Sequence, residues 1–582
     1  MTTRANITTG AAGGRFVVDP LAPEDIFTRE DLTEEQRLFG QTAAEFIQKE
    51  VLPVVKQLYA HDWALTRRLL KKASELDLLR LEVPPAYGGL GLDLISASYV
   101  GEQIAADPSF GGSLGAHTSI GTLPLVYFGN DEQKQRYLPR LGSGELIGAY
   151  ALTEPQAGSD ALAARTTATL TPDGRHYLLN GQKMWITNGG FADLFTIFAK
   201  VNGGQFTAFL VERSMGVVSG RDEIKLGLDG SSTTALMLDN VKVPVENVLG
   251  TIGQGHKVAL NVLNFGRVKL GSRNMSGVKI ALGHAVKYAK DRRQFGRSIA
   301  EFGLIKEKLA GMAVRAFVGE AMSYRTLGDV DRALDAIDRH ETTHVMKTIE
   351  GFAVECSINK VWTSEALAWA VDQAVQVVGG NGYSREFPVE RMYRDARITR
   401  IYEGTNEINR MLIPTRLLKQ LPEIFSEAAR RLNDDRVVPS TGPFAVERDS
   451  LARAKMLGAT LLGRATAGYG DAFKEAQEVQ AEIADILIEV YAAESAVARA
   501  EKLAADHRAA LAADIVHVYV GRSIGRILEA TRPVIAALAV CGSAIDDLVG
   551  CAHRLAPSPG VDTIAAGRRI AHAVIAAERF PF

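Results

Sequence analysis

Apolar residues recur at helical spacing over roughly the first hundred and fifty residues, alternate with polar ones over the next hundred, and return to helical spacing thereafter. The first clear segment, TEEQRLFGQTAAEFIQKEVLPVV from Thr33, places Leu38, Phe39, Ala43, Phe46, Ile47 and Val51 on one face of a helix. Glu34 and Glu35 suit its first turn, and Pro53 ends or kinks it. From about Gly148 to Gly255 the pattern is that of strands. TTATLTPDGRHYLLNGQKMWITN holds two alternating runs joined by Thr171-Pro172-Asp173-Gly174, a turn sequence. LFTIFAKV, TAFLVE and TTALMLDNVKVP extend the β pattern. Long helical stretches follow, such as VKIALGHAVKYAKDR and TSEALAWAVDQAVQVV, and predict a four-helix bundle. The polar, Pro-containing stretch NDDRVVPSTGP reads as a linker, and the Ala-rich remainder is helical again. The expected order is a segment at 1–30, a helical domain at 31–148, a β domain at 149–256, a four-helix bundle at 257–430, a linker at 431–446 and a helical extension at 447–582. A β domain between helical domains offers a cleft in which a planar cofactor can lie.

A chain of 582 residues exceeds one ordinary core, and 46% apolar with 23% charged residues is a globular composition. The 66 basic and 68 acidic residues leave a net charge of -2, so no charge excess points to nucleic acid or an anionic membrane. Three cysteines in so long a chain argue against a disulfide scaffold and fit a reducing compartment. No CxxC or HExxH is present, hence no zinc signature and no expected metal. The amino terminus lacks the apolar core of a secretory signal; it is Thr-rich and acid-free until Asp19, which gives a transit peptide little support. No apolar run reaches the length of about 18 residues that a bilayer span needs. The best candidate, PVIAALAVCGSAI from Pro533, is too short and reads as a buried helix.

Chemistry concentrates in a few short strings. IYEGTN, Ile401 to Asn406, sets the carboxylate of Glu403 beside a glycine at a break between helical patterns. Proton abstraction next to a carbonyl needs a base and a donor to the developing oxyanion, and an acid before glycine can supply both its carboxylate and its backbone N–H. An ordinary acid near a helix end is the plain alternative for the string in isolation. YALTEPQAGSD from Tyr150 and KMWITNGG from Lys183 mix aromatic bulk, hydroxyls and glycines, as a flat heteroaromatic ring requires. DRRQFG from Asp291 and QAVQVVGGNGYSREFPVERMYRD from Gln373 bring guanidinium groups and glycine-exposed amides, natural partners of a pyrophosphate. AYGGLGLDL from Ala86 is a glycine-rich loop without the GxGxxG spacing.

Together and in this order, TEPxAGSD, KMWITNGG, RxQFG, QxxGGNGY and YEGTN after RDARI closely resemble the acyl-CoA dehydrogenase family, over about two thirds of the chain. The helical extension, with NFGR and EFGLIKEKLA, resembles the very-long-chain branch. The resemblance implies a mainly α fold with a central β-barrel domain, a C-terminal four-helix bundle and an extra helical domain. It implies FAD as cofactor, a long-chain acyl-CoA as substrate, and the trans-2,3-enoyl-CoA as product, the first step of fatty acid β-oxidation. It also implies an electron-transfer flavoprotein as acceptor and a homodimer.

Carried over by match, Glu403 would be the α-proton base, its backbone N–H polarising the thioester carbonyl, with Arg267 of NFGR as a neighbouring cation. Tyr150, Leu152, Thr153 and Ser159 would face the isoalloxazine or its edge, and Trp185 and Thr187 would flank the ring. Arg292, Gln294 and Phe295 would reach the adenine and pyrophosphate half of FAD on the neighbouring subunit. Gln376, Gly379 and Gly380 would lie by the pyrophosphate. Thr405 and Glu407 would meet the adenosine half, although Glu407 departs from the residue type associated with that site. Asn264, Tyr402, Gly404 and Ser159 join Arg267 on the substrate side. Gly112 and Ala116 fall at the pocket floor, where small residues leave depth for a long acyl chain. Within the extension, SLARAKMLGATLLGR from Ser450 has the spacing of a helix that could lie weakly on a membrane surface or pack on its own domain. In a bacterial source the expected location is cytoplasmic, with or without peripheral contact at the inner membrane face, and in a eukaryote mitochondrial. Two other readings stay open: a family member serving as an assembly protein, and a related flavin oxidase. A nitroalkane oxidase would be expected to carry Asp as its base, which Glu403 disfavours.

Overall fold

The computed structural model describes residues 13–339, 341–423, 425, 428, 440–555 and 561–582. The expected linker therefore lies mostly outside the described residues, as do the first twelve positions. The chain divides into two compact units, one built from residues 32–269 and 337–350, the other from 1–31, 270–336 and 351–582.

In the first unit the N-terminal helices and the β segment share one hydrophobic cluster, in which Phe46, Leu69, Leu70 and Phe110 pack with Phe195, Ile197, Phe209 and Leu236. Thr33 caps the opening helix Glu34–Phe46 through a capping box with Gln36. Of the six apolar positions expected on its face and continuation, Ala43, Phe46, Ile47 and Val51 are buried, but Leu38 is 63% exposed. The regular helix gives way to a π turn, Ile47–Val51, before a 3-10 turn, Leu52–Val54, because Pro53 has no N–H to donate to the fourth carbonyl back.

Eight strands follow: β1 (Gly148–Ala151), β2 (Thr167–Leu170), β3 (His176–Thr187), β4 (Leu194–Val201), β5 (Gln205–Glu212), β6 (Val218–Asp222), β7 (Thr233–Pro244) and β8 (Val248–Leu249). They form one sheet in the order β6-β7-β3-β2-β4-β5-β8, with β1 added in parallel to β4. The turn expected at 171–174 joins β2 to β3, with Gly174 at φ 68° and its N–H donating to the Thr171 carbonyl at 2.9 Å.

Two buried polar links hold this unit together. The Gly148 N–H donates to His117 Nδ1 at 2.9 Å, so the ring proton sits on Nε2, which faces the Leu141 carbonyl at 3.1 Å. The helical segment is thereby tied to the first strand. The second link is an ion pair with both side chains almost fully buried: Lys183 Nζ lies 2.7 Å from Glu154 Oε1. Glu154 also accepts from the Arg165 and Thr166 N–H groups, and Lys183 reaches the Leu152 carbonyl at 3.4 Å. Burial pushes the Glu154 carboxyl up, but Lys183 and the hydrogen bonds outweigh it and hold the group ionised.

In the second unit the helices Gly303–Asp335, Ala353–Val378 and Asn406–Gln420, with the latter part of Gly255–Asp291, form the bundle. Its core continues without a break into the extension: Met275, Phe317, Ile358, Trp362 and Ile413 belong to the same cluster as Leu457, Leu487, Ile515 and Ile570. Inside this apolar mass Arg499 is fully buried between Glu30 at 2.7 Å and Glu320 at 3.1 Å, and Glu320 also meets Arg29 and Lys279. Burial alone would raise Glu320; Lys279, Arg29 and Arg499 hold it well below the carboxylate range. Lys455 is paired with Glu494, which also binds Arg325.

The helix Ala445–Tyr469, which contains the basic-apolar stretch from Ser450, turns Leu451, Leu457, Leu461 and Leu462 into this core. The stretch from Pro533 is buried on one face only, through Val534 and Leu538. Its helix ends at Val540, which is 90% exposed, so the stretch expected to be a buried helix is amphipathic. Among the described residues no helix is long and apolar enough to cross a membrane.

Two predictions test the buried links. Burial lowers the His117 imidazole from 6.5 to about 4, so the folded state keeps it neutral where the unfolded chain protonates it. Its contribution, on the order of 3 kcal/mol, is complete above pH about 6.5 and lost as pH falls towards 4. Denaturant unfolding between pH 7 and 4.5 should show this slope, and His117→Asn should flatten it. Replacing Lys183 by Met should cost about 3–5 kcal/mol in holoprotein unfolding, since Glu154 is left buried without its cation; Lys183→Met with Glu154→Gln should recover part of that loss, because the amide is neutral and its oxygen still accepts from the neighbouring N–H groups.

Candidate functional site

Glu403 stands in the short link between the 3-10 turn Arg397–Arg400 and the helix Asn406–Gln420. Its φ is 59°, and Gly404 follows at 81°. Two successive left-handed residues swing the chain out of one helix and into the next. Glycine takes this conformation freely, while an L side chain is strained by roughly 1–3 kcal/mol. Thr405 then caps the helix, its hydroxyl accepting from the Ile408 N–H at 3.3 Å. The Glu403 side chain is half-buried and Tyr402 beside it is partly exposed. Desolvation, and then the Glu403 carboxylate, push the Tyr402 phenol above its ordinary range, against the opposing charge of Arg273.

The helix after Glu403 is tied down at its start. Lys360 Nζ donates to Asn406 Oδ1 at 2.6 Å, and Asn406 Nδ2 donates to Ser364 and Glu365. Arg410 forms a fork on Glu365 and reaches Asp485 of the extension at 2.8 Å. Burial pushes the Asp485 carboxyl up to about 6 although Arg410 opposes it. Glu407 is exposed, and its own backbone N–H and the Thr405 hydroxyl draw its carboxyl down, so it completes the cap of its own helix.

Elsewhere in the same unit, Arg293–Gln294 and Arg297–Ser298 form a minimal hairpin across Phe295-Gly296. Both turn residues have positive φ, 52° and 80°, as a type I′ turn demands, but Asn or Gly is the residue suited to the first position. Phe295 occupies it and is 92% exposed. Arg292 and Gln294 are exposed beside it. Gln376, Gly379 and Gly380 lie at the C-terminal end of Ala353–Val378, all exposed, and a Cβ on either glycine would meet nothing within 4 Å.

In the unit holding the sheet, the ladder between β3 and β7 slips by one residue between Lys183 and Ile186. The bulge sends the Met184 N–H to the Thr153 carbonyl at 2.9 Å and puts Trp185 at φ 61°, with its ring 53% exposed. The two motifs are thus joined by this bond, by the Lys183–Glu154 pair and by the Lys183 contact with the Leu152 carbonyl. Thr153 and Thr187 are half-buried, Ser159 is exposed, and Leu152 is buried. Tyr150 is buried, its ring edge-on to Phe198 and its hydroxyl near the Ala259 carbonyl.

Arg267 is buried and donates to Asn264 Oδ1 at 3.0 Å. Gly112 is half-buried, and a Cβ there would find only Ser231 Oγ at 3.9 Å. Ala116 is buried at the start of a π-helical stretch, Ala116–Gly121. Sequence reasoning passed over Asn188, whose φ is 62° and whose amide donates to the Ser113 carbonyl at 2.9 Å beside Gly112. A signal for it existed, since asparagine is the residue most tolerant of left-handed backbone after glycine.

Residues 33–145, 149–241 and 253–418 match the families described as acyl-CoA dehydrogenase N-terminal, middle and C-terminal domains, and residues 453–544 match a further acyl-CoA dehydrogenase C-terminal domain. A probable acyl-CoA dehydrogenase of Bacillus subtilis is 45% identical over 518 residues, 87% of each chain. The very long-chain specific acyl-CoA dehydrogenase of Rattus norvegicus is 42% identical over 59% of this chain and 52% of its own. The crystal structure of an acyl-CoA dehydrogenase complexed with FAD from Bacillus anthracis superposes with a TM-score of 0.94 at 40% identity, covering 98% of this chain and 99% of that one. The chain belongs to the acyl-CoA dehydrogenase family, with the additional C-terminal domain forming part of the match.

Proposed function

We propose that this protein is an FAD-dependent dehydrogenase of long-chain acyl-CoA thioesters and that Glu403 is its α-proton base. The observation that carries the reading is the left-handed Glu403-Gly404 link, which sets the carboxylate and the backbone N–H of one residue at the break between two helical segments.

The residues present fit a flavin dinucleotide. Trp185 offers an exposed aromatic face on a bulged strand, Thr153 and Thr187 offer hydroxyls near it, and Arg292 with the open glycines 379 and 380 suits a pyrophosphate. Bound FAD supplies the acceptor for the β-hydrogen, which leaves as hydride. The chain's own part is the proton. A carboxylate oxygen of Glu403 takes the α-proton, the C–H electron pair becomes the new C=C bond as the β-hydrogen departs, and the trans-2-enoyl thioester results. The Glu403 N–H donates to the thioester carbonyl oxygen, where negative charge develops. Buried Arg267 is the cation assigned to the substrate side by family match.

The exposed Phe295 turn supports a homodimer in which this hairpin meets FAD held by the second copy, since a strained, uncovered aromatic is a poor surface residue in a monomer. An electron-transfer flavoprotein is the proposed acceptor. Long acyl chains are supported by the open space at Gly112. The burial of Leu451, Leu457, Leu461 and Leu462 supports the reading in which that helix packs on its own domain.

Two measurements test this reading. Anaerobic addition of palmitoyl-CoA should bleach the flavin absorbance, and Glu403→Gln should slow bleaching about a hundred- to ten-thousandfold while FAD content stays constant; bleaching at the wild-type rate would remove Glu403 from the role. Gly112→Leu should reduce kcat/KM for palmitoyl-CoA by about tenfold or more, as several methylenes worth about 0.8 kcal/mol each lose their place, and leave butyryl-CoA nearly unaffected.

A further inference from the structure

Asn409 lies in the first turn of the helix that follows the base, fully buried. Its side-chain nitrogen turns back toward the preceding link. It donates to the carbonyl oxygens of Gly404 at 2.9 Å, Thr405 at 3.0 Å and Glu403 at 3.4 Å. Three consecutive carbonyls converge on one NH2 group, which also fixes the amide orientation, because an oxygen there would face three oxygens. The helix does not need these bonds for capping. Thr405 already caps the Ile408 N–H, and the Asn409 backbone N–H makes the ordinary bond to the Thr405 carbonyl at 3.0 Å. Asn409 Oδ1, though buried, accepts no hydrogen bond among the described residues, so the side chain is placed for its donors alone.

The Glu403 and Gly404 carbonyls are the ends of two successive peptide planes. A strained left-handed pair relaxes most easily by counter-rotating such planes about the intervening Cα bonds. A single rigid amide tethered to both carbonyl oxygens resists that rotation. We propose that Asn409 is a positioning residue for Glu403: its amide locks the left-handed link, so that the carboxylate and the backbone N–H of Glu403 address the same reacting carbon and carbonyl. The inference rests on Glu403 being the base.

The test compares flavin-loaded wild type with Asn409→Leu, Asn409→Asp and Glu403→Gln. Three quantities are read: anaerobic bleaching by palmitoyl-CoA per bound flavin, exchange of the thioester α-proton with deuterium oxide by NMR, and melting temperature. Asn409→Leu should lose about 100-fold in kcat and in α-proton exchange, the scale of a misplacement near 1 Å, with KM changed far less. Asn409→Asp should be slow at neutral pH, and its deficit relative to wild type at the same pH should narrow on acidification, because a protonated carboxyl regains one donor. Should Asn409→Leu not fold, the Asp variant and its pH profile decide. Wild-type bleaching and exchange in either folded variant, with Glu403→Gln inactive, overturns the role of Asn409 and leaves the base in place. Wild-type rates in Glu403→Gln overturn the base and this inference with it. A lowered melting temperature with unchanged rates per bound flavin means that Asn409 is structural only.

Discussion

Glu403 is held at a backbone angle that a side-chain-bearing residue avoids, and much of its unit is arranged to keep it there. The helix beginning at Asn406 cannot slide or unwind at its start, because Lys360, Ser364 and Glu365 hold Asn406 while Glu365 and Asp485 hold Arg410. Asn409 fills the remaining freedom by gathering the carbonyls of the link itself. The extension takes part directly, since Asp485 belongs to it. Its helices are not an appendage on a finished bundle but share its apolar core.

The same logic recurs where backbone strain appears elsewhere. Trp185, Phe295 and Glu403 all have positive φ, and none is a residue type that adopts it willingly. Each sits where something rigid imposes the conformation: a bulge pinned by Thr153 and Lys183, a two-residue hairpin, and a link between helices. Strain of this kind persists only where the surroundings over-determine it. Buried charge lies next to one of these positions, where Lys183 pairs with Glu154 beside the Trp185 bulge. Lys183 with Glu154 in one unit, and Arg499 with Glu30 and Glu320 in the other, are costly to desolvate and costly to break.

Much of this was legible in the sequence. The strand and helix periods, the turn at 171–174 and the cap at Thr33 are local, and local chemistry decided them. The motifs carrying Glu403, Trp185, Arg292 and Gly379 are short strings whose order along the chain identifies the family. What could not be read were contacts between residues far apart in sequence. Leu38 fits the apolar face of its helix by spacing, yet the neighbouring helices cover only part of that face. Val540 looked buried by composition and lies on the open side of its helix. Lys183 and Glu154 each stood inside a recognised motif, but nothing in either string says that they pair across 29 residues. Tyr150 packs edge-on against Phe198, a partner that its own motif does not name.

The sequence by itself determined which segments are helix or strand, which family they compose, and which carboxylate stands beside a glycine at a break between helical patterns, because propensity, periodicity and motif order act over a few residues at a time. Only the tertiary structure decided how that carboxylate is held. The left-handed angle of Glu403, the three-carbonyl grip of Asn409 and the pairing of Arg410 with Asp485 across 75 residues arise from packing that forces strained backbone and buried charge into one arrangement. Such constraints belong to the fold as a whole and leave no mark in any short stretch of the chain.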